Sequence, residues 1–209
     1  MKKHVLICVA LGLLCLVHTN FAQNAAIETQ TQTQNEEEVS RFEVGAHYTA
    51  LGNGYDNGIG GRLSFNVNRN LAIESEVNFF PFGRFRGNAT QALFGVKAGK
   101  RWSKFGIFGK ARPGFIYDSK GKAEPDTSSN DIYRLRFRGT TNFTADVGGV
   151  VEFYPTKKLT TRFDFGDTIT RVRSQNGFFV DANNNLGSFR IPATTRHSFQ
   201  FSAGIGFRF

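Results

Sequence analysis

Beyond Arg41 the sequence keeps returning to a period of two, apolar then polar, and this constrains the fold more than any other feature. A helix repeats every ~3.6 residues, so strict alternation marks strands with one face in apolar surroundings and the other in polar ones. Phe42, Val44, Ala46, Tyr48 and Ala50 alternate with Glu43, Gly45, His47 and Thr49. After the turn-forming run 52–58, Ile59, Gly61, Leu63, Phe65 and Val67 alternate with Arg62, Ser64 and Asn66. After 68–70, Leu71, Ile73, Val77 and Phe79 stand opposite Glu74, Glu76 and Asn78. A short loop over 83–88 precedes a fourth strand, about 89–100, with Ala92, Phe94, Val96 and Ala98 against Gln91 and Lys97. After 101–104 a fifth sets Phe105, Ile107, Ala111, Phe115 and Tyr117 against Phe108, Lys110 and Arg112. Pro113 cannot donate to a ladder, so a bulge or local break is expected there.

Residues 118–130 read as a polar loop. The sixth strand holds its parity from Tyr133 to Phe153, with Arg134, Arg136, Arg138, Asp146 and Glu152 on the other face. After the turn at 155–158, Leu159, Phe163 and Phe165 oppose Arg162 and Asp164. A long polar loop is expected over 170–196, and the last strand alternates Phe199, Phe201, Ala203, Ile205, Phe207 and Phe209 with Gln200, Ser202, Gly204, Gly206 and Arg208.

Strands of about ten residues are long enough to cross a bilayer at a tilt, and short connections alternating with longer ones put turns at one rim and loops at the other. The expected fold is all-β: an eight-stranded antiparallel up-and-down transmembrane β-barrel. A soluble sandwich or lipocalin-like barrel would also alternate, with its apolar face inward. Charges recurring on one face of nearly every strand, and Phe concentrated near strand ends, speak for the membrane form.

The segment before the barrel reads differently. Lys2 and Lys3, the apolar run Val5–Val17 and the Asn20-Phe21-Ala22 boundary form a secretory signal over 1–22 with cleavage after Ala22. An uncleaved anchor is the alternative, but the run falls short of the roughly 20 apolar residues a spanning helix needs. Residues 23–40, rich in Gln, Thr and Glu, read as a flexible periplasmic leader, and 41–209 as the barrel. Both cysteines, Cys8 and Cys15, fall in the signal, so the mature chain has no thiol chemistry. Leu14 before Cys15 argues against a lipidated cysteine. The net charge of +9, from 26 Lys and Arg against 17 Asp and Glu, would ordinarily suggest nucleic acid. In an exported protein it fits lipid headgroups or glycolipid phosphates instead, and no nucleic-acid partner is expected.

The closing run Phe199, Phe201, Ile205, Phe207 and Phe209 resembles the C-terminal assembly signal of bacterial outer-membrane barrels. From Arg41 onward the chain resembles the small eight-stranded group that includes OmpA-type transmembrane domains, OmpX-like proteins and Opa-type adhesins. The resemblance implies a Gram-negative outer-membrane location, recognition by the barrel assembly machinery and a monomer. No peptidoglycan-binding domain is expected after Phe209, so a wall-anchoring role is not.

Three groups of residues could carry function. The inward set comprises Glu43, His47, Arg62, Glu74, Glu76, Lys97, Arg101, Lys110, Arg112, Asp146, Glu152, Arg162, Asp164 and Arg208. An eight-stranded barrel is just wide enough for side chains to fill it, so these form either a salt-bridged plug or a narrow ion path. Glu74 and Glu76 share a face as any residues two apart on a strand do, which makes them a weak acid–base pair. The second group concerns catalysis: His197 and Ser198 are adjacent and so point to opposite faces, unlike the two-apart His and Ser of lipid A deacylases. His47 has no evident catalytic partner, and two histidines at this spacing make no metal site. No enzyme activity and no cofactor are expected. The third group is basic and outward: Arg84, Arg86, Lys120, Lys122, Arg134, Arg136, Arg138, Arg171, Arg173, Arg190 and Arg196. These either solubilise loops or contact glycolipid phosphates by bidentate hydrogen bonds. The shared parity of Arg134, Arg136 and Arg138 predicts a sixth strand rising beyond the membrane, with an edge open to strand addition. The sequon at Asn88 reads as chance. The expected role is structural or surface-interactive, in adhesion or envelope integrity; a small passive or gated channel is the second reading.

Overall fold

The computed structural model describes residues 40–52, 56–83, 87–125, 135–180 and 186–209. The expected signal, the leader up to residue 39, and Arg84, Arg86 and Arg134 lie outside them. Ten strands follow in chain order: β1 (Phe42–Leu51), β2 (Asp56–Asn66), β3 (Leu71–Gly83), β4 (Gly87–Arg101), β5 (Phe105–Pro125), β6 (Leu135–Phe153), β7 (Leu159–Val172), β8 (Gln175–Val180), β9 (Leu186–Ile191) and β10 (Thr194–Arg208). Eight close an antiparallel barrel in the order β1-β10-β7-β6-β5-β4-β3-β2, and β8 and β9 form a separate hairpin. The last strand closes on the first from Glu43↔Arg208 to Leu51↔Gln200.

The polarity is the reverse of a water-soluble barrel. Outward side chains are large and apolar, including Leu63, Phe94, Phe115, Val147, Phe199 and Ile205, all exposed, while Arg112, Glu74, Asp146 and Lys97 inside are completely buried. An apolar surface of this extent is stable only against lipid. This excludes the soluble alternative. Aromatic rings cluster at the short-turn rim, where Phe42 packs on Phe65 and Phe209 and Trp102 stacks on Phe105 at 4.6 Å. That is where the amphipathic zone of a bilayer favours rings.

Side chains fold the short turns. Asn68 Oδ1 accepts from the backbone N–H of Asn70 and Leu71 (2.8 and 2.9 Å). Thr156 Oγ1 accepts from those of Lys158 and Leu159 (3.3 and 3.1 Å). Both are local side-chain alternatives to ladder bonds, as turns require.

The other rim corrects three expectations. Residues 118–125 are not loop: β5 runs to Pro125 and pairs with β6 as far as Pro125↔Leu135. Residues 170–196 are not one loop, because β7 reaches Val172, β10 begins at Thr194 and the β8–β9 hairpin fills most of the interval. The loop at 83–88 shrinks, with Gly83 paired to Gly87. Barrel strands therefore run from 10 to 21 residues rather than about ten each. Above the membrane both faces of a strand meet water, so alternation vanishes while the hydrogen-bond ladder continues. Pro113 breaks the β4–β5 ladder locally, between Leu93↔Gly114 and Val96↔Ala111, without shifting the register. The bulge lies higher, between Asp118 and Lys122 in the β5–β6 ladder.

Candidate functional site

All fourteen residues of the inward set are buried inside the barrel. Period-two geometry places them there: each lies at the parity opposite the exposed apolar positions of its strand. Seven Asp and Glu and seven Lys and Arg are buried among the described residues, so the interior carries no excess of either formal charge.

The contents form four layers. At the short-turn end, the Tyr154 ring lies beneath the guanidinium of Arg208 (4.3 Å) and beside that of Arg101 (5.5 Å). Arg101 Nε donates to the Tyr154 hydroxyl (2.9 Å), which donates to Glu152 Oε2 (2.8 Å). Arg208 also donates to the Thr156 carbonyl (3.1 Å), although Glu43 faces it in register.

The ionic layer lies next. Arg162 grips Asp164 with Nε and Nη2, each 2.7 Å from an oxygen, and also binds Glu74, with Nη2 2.9 Å from Oε2. Arg112 binds Glu76 and Asp146, and Lys97 binds Glu152 and approaches Glu74 at 3.3 Å. Arg62 reaches Glu43 (3.4 Å) and Asp164 (3.6 Å). Lys110 Nζ stands 2.8 Å from Asp146 without hydrogen-bond alignment, an electrostatic contact. Lys97 and Lys110 face one another across β4 and β5, a repulsive pairing. Each is offset by separate carboxylates reached across the lumen.

Above the charges is a neutral polar layer. Asn78 donates to Glu76 (2.8 Å) and Gln91 (2.9 Å), leaving its carbonyl oxygen to accept from His47 Nε2 (2.6 Å). Thr168 donates to Gln200 (2.6 Å), and Ser202 donates to Thr49 (2.9 Å). Toward the other rim, Leu51, Phe80, Ala89 and Ile116 form one buried apolar cluster, with buried Asp118 in register with Ala89 and buried Asn142 with Ile116. The parity of Leu51 continues that of Thr49, and the parity of Tyr154 at the opposite end continues that of Glu152; both sit at strand ends, where alternation blurs.

Two contacts decide what this interior can do. In the barrel order β3 and β7 are four strands apart either way round, as are β4 and β10. Glu74–Arg162 and Gln91–Gln200 (3.3 Å) join those opposite walls directly. Side chains from opposite walls therefore meet in two successive layers, the arrangement a salt-bridged plug requires.

The candidate catalytic residues separate. His197 is exposed and 2.5 Å from Asp167, while Ser198 is buried on the opposite face. Among the described residues no group of three or more His, Cys, Asp and Glu could hold a metal ion.

The basic outward set is placed unevenly. Arg136 and Arg138 are exposed on the β5–β6 extension, as the parity argument requires, and Arg138 binds Glu124 (3.1 Å). Lys122 is half-buried and also bound to Glu124 (2.6 Å). That hydrogen bond holds the Glu124 carboxyl below the ordinary glutamate range. Arg171 belongs to a strand, not a loop, and donates to Thr195 (3.0 Å). Arg190 is exposed on β9. Lys120, Arg173 and Arg196 line a cleft with Lys122.

Closed topology, apolar exterior and ionic interior define a small membrane-spanning β-barrel. No protein-family model and no curated protein matches the sequence. Among solved structures the chain is similar to the N-terminal β-barrel domain of OprF from Pseudomonas aeruginosa, at 11% identity over 80% of this chain and 96% of that one, with a TM-score of 0.48. It is similar to Neisserial surface protein A (12% identity, 83% and 100% covered, TM-score 0.47). It is also similar to Ail, the attachment invasion locus protein of Yersinia pestis (10% identity, 81% and 97% covered, TM-score 0.46).

Proposed function

We propose that the protein is a non-catalytic, monomeric outer-membrane barrel that acts as a sealed scaffold. It stiffens the envelope and presents its raised strands for contact at the cell surface. The wall-to-wall pairing of Glu74 with Arg162 carries this reading, because a lumen filled by paired charges leaves the rim as the working part. The β5–β6 extension supports it further. Its pairs from Lys122↔Arg138 to Pro125↔Leu135 lie beyond the last β6–β7 pair, Phe143↔Arg171, so the outer edge of β6 is open for strand addition. Export by the signal and insertion through the terminal Phe199–Phe209 run belong to the same reading.

Two trimmed variants test it: one shortens 119–138 to a tight turn, the other replaces 175–191. Both should insert in the outer-membrane fraction, with a mature N-terminus at Gln23. Cells carrying them should lose surface attachment or detergent resistance. Unchanged attachment and resistance in both would overturn the reading.

A further inference from the structure

The rim holds one concavity whose chemistry differs from everything beneath it. Beside the β5 bulge, where Lys120 and Lys122 lie, Thr140–Asn142 of β6 and the ends of β7, β8 and β10 converge on a cleft of about 650 Å³. That volume is within the range of small-molecule sites. Four of its lining residues are cations, Lys120, Lys122, Arg173 and Arg196, and none is a carboxylate. Glu124 occupies Lys122, but Lys120, Arg173 and Arg196 have no carboxylate partner among the described residues. In the lumen every basic side chain but Arg208 has a carboxylate within 4 Å. Lys120 lies over the Phe137 ring, outside the lining, at 6.0 Å, but no carboxylate neutralises the three cations, which focus a positive potential into the concavity. The remaining polar lining is neutral: Thr140, Thr141, Asn142, Ser174 and Gln175. Asn142 is held by accepting a weak hydrogen bond from the Arg173 backbone N–H (3.4 Å).

Cations mixed with hydroxyls and carboxamides suit a ligand bearing both oxyanions and hydroxyl groups. No aromatic ring lines the cleft among the described residues, so neither a nucleobase nor the face of a neutral sugar has a stacking partner. We infer that the cleft binds a sugar carrying phosphate or sulfate esters, with Lys120, Arg173 and Arg196 on the oxyanions. This rests on the surface-contact reading above and names its ligand chemistry. Such a sugar can come from the headgroup of a phosphorylated glycolipid in the same leaflet or from a soluble glycan.

The test uses the full mature barrel, folded as judged by its heat-dependent gel mobility, in phosphatidylcholine nanodiscs. A sulfated disaccharide is titrated calorimetrically beside its unsulfated parent and inorganic phosphate. The sulfated sugar should bind with salt-sensitive affinity, and the parent should not. K120Q, R173Q and R196Q should each weaken binding about tenfold, the loss expected for one charge-assisted hydrogen bond. Arg190→Gln, outside the cleft, should change nothing. Nanodiscs containing a phosphorylated glycolipid then assign the source: blocked titration points to the lipid headgroup, undiminished titration to a soluble glycan. Equal binding of the unsulfated parent, unchanged affinity when K120Q, R173Q and R196Q are combined, or no binding at all overturns the assignment. The surface-contact reading stands or falls separately, on the trimmed strands.

Discussion

The barrel wall and the strands raised above it are one continuous antiparallel ladder, yet opposite rules hold them. Along β5, Lys110 and Arg112 are buried among Glu76, Asp146 and Asp164 while Ile107 and Phe115 face lipid. A few residues on, Lys122 and Glu124 pair in water, with side chains 33% and 26% exposed. The same kind of ion pair thus changes its energetic weight along a single strand. Inside, a charge whose partner is removed has neither water nor counterion. Outside, water replaces the partner at little loss. The charges of the lumen are therefore tightly constrained, and those of the rim are free to vary.

Substitutions at the two levels sharpen this contrast. Arg162→Met should have the largest effect, because Glu74 and Asp164 both lose their bidentate partner. Breaking such a buried network costs about 3–5 kcal/mol, read by urea unfolding in lipid vesicles. A loss comparable to that of an exposed pair would show water in the lumen and break the comparison. Gly60→Ala should cost about 1–3 kcal/mol by overpacking. Its methyl would fall 2.1 Å from Asn78 Oδ1 and 2.4 Å from His47 Nε2. No change would mean that the polar layer is loose.

Lys122→Ala should leave the unfolding midpoint unchanged, since exposed pairs contribute little. It should act on titration instead. The depressed folded-state pKa of Glu124 makes its pairing favourable above the ordinary glutamate pKa, and that advantage fades as pH falls through the folded value. The carboxyl midpoint, followed by carbon NMR, should therefore rise toward the ordinary value in Lys122→Ala. A midpoint that stays low would transfer the effect to Arg138.

How much was legible follows the same division. Within the membrane, lipid on one side and a filled lumen on the other enforce alternation, so Glu43 through Arg208 could be read off by parity. Tyr154 and Leu51 were lost because strand ends blur it. At the rim the signal is weak: Lys120 and Lys122 sit in a polar stretch, and the apolar residues of the β8–β9 hairpin, Phe178 and Phe179 among them, are adjacent rather than alternating. Arg136 and Arg138 were the exception, since Phe137 between them keeps the period. That the cleft gathers Lys120, Arg173 and Arg196 from three places in the chain depends on the β5 bulge and on where β7 and β10 end, which no local pattern encodes.

The sealed lumen is the central claim, and single-channel recording tests it most directly. Folded protein in a planar bilayer should be electrically silent across the usual voltage range. Steady conductance that changes when Arg112 or Glu74 is replaced would show an ion path through the charged layer and contradict the account.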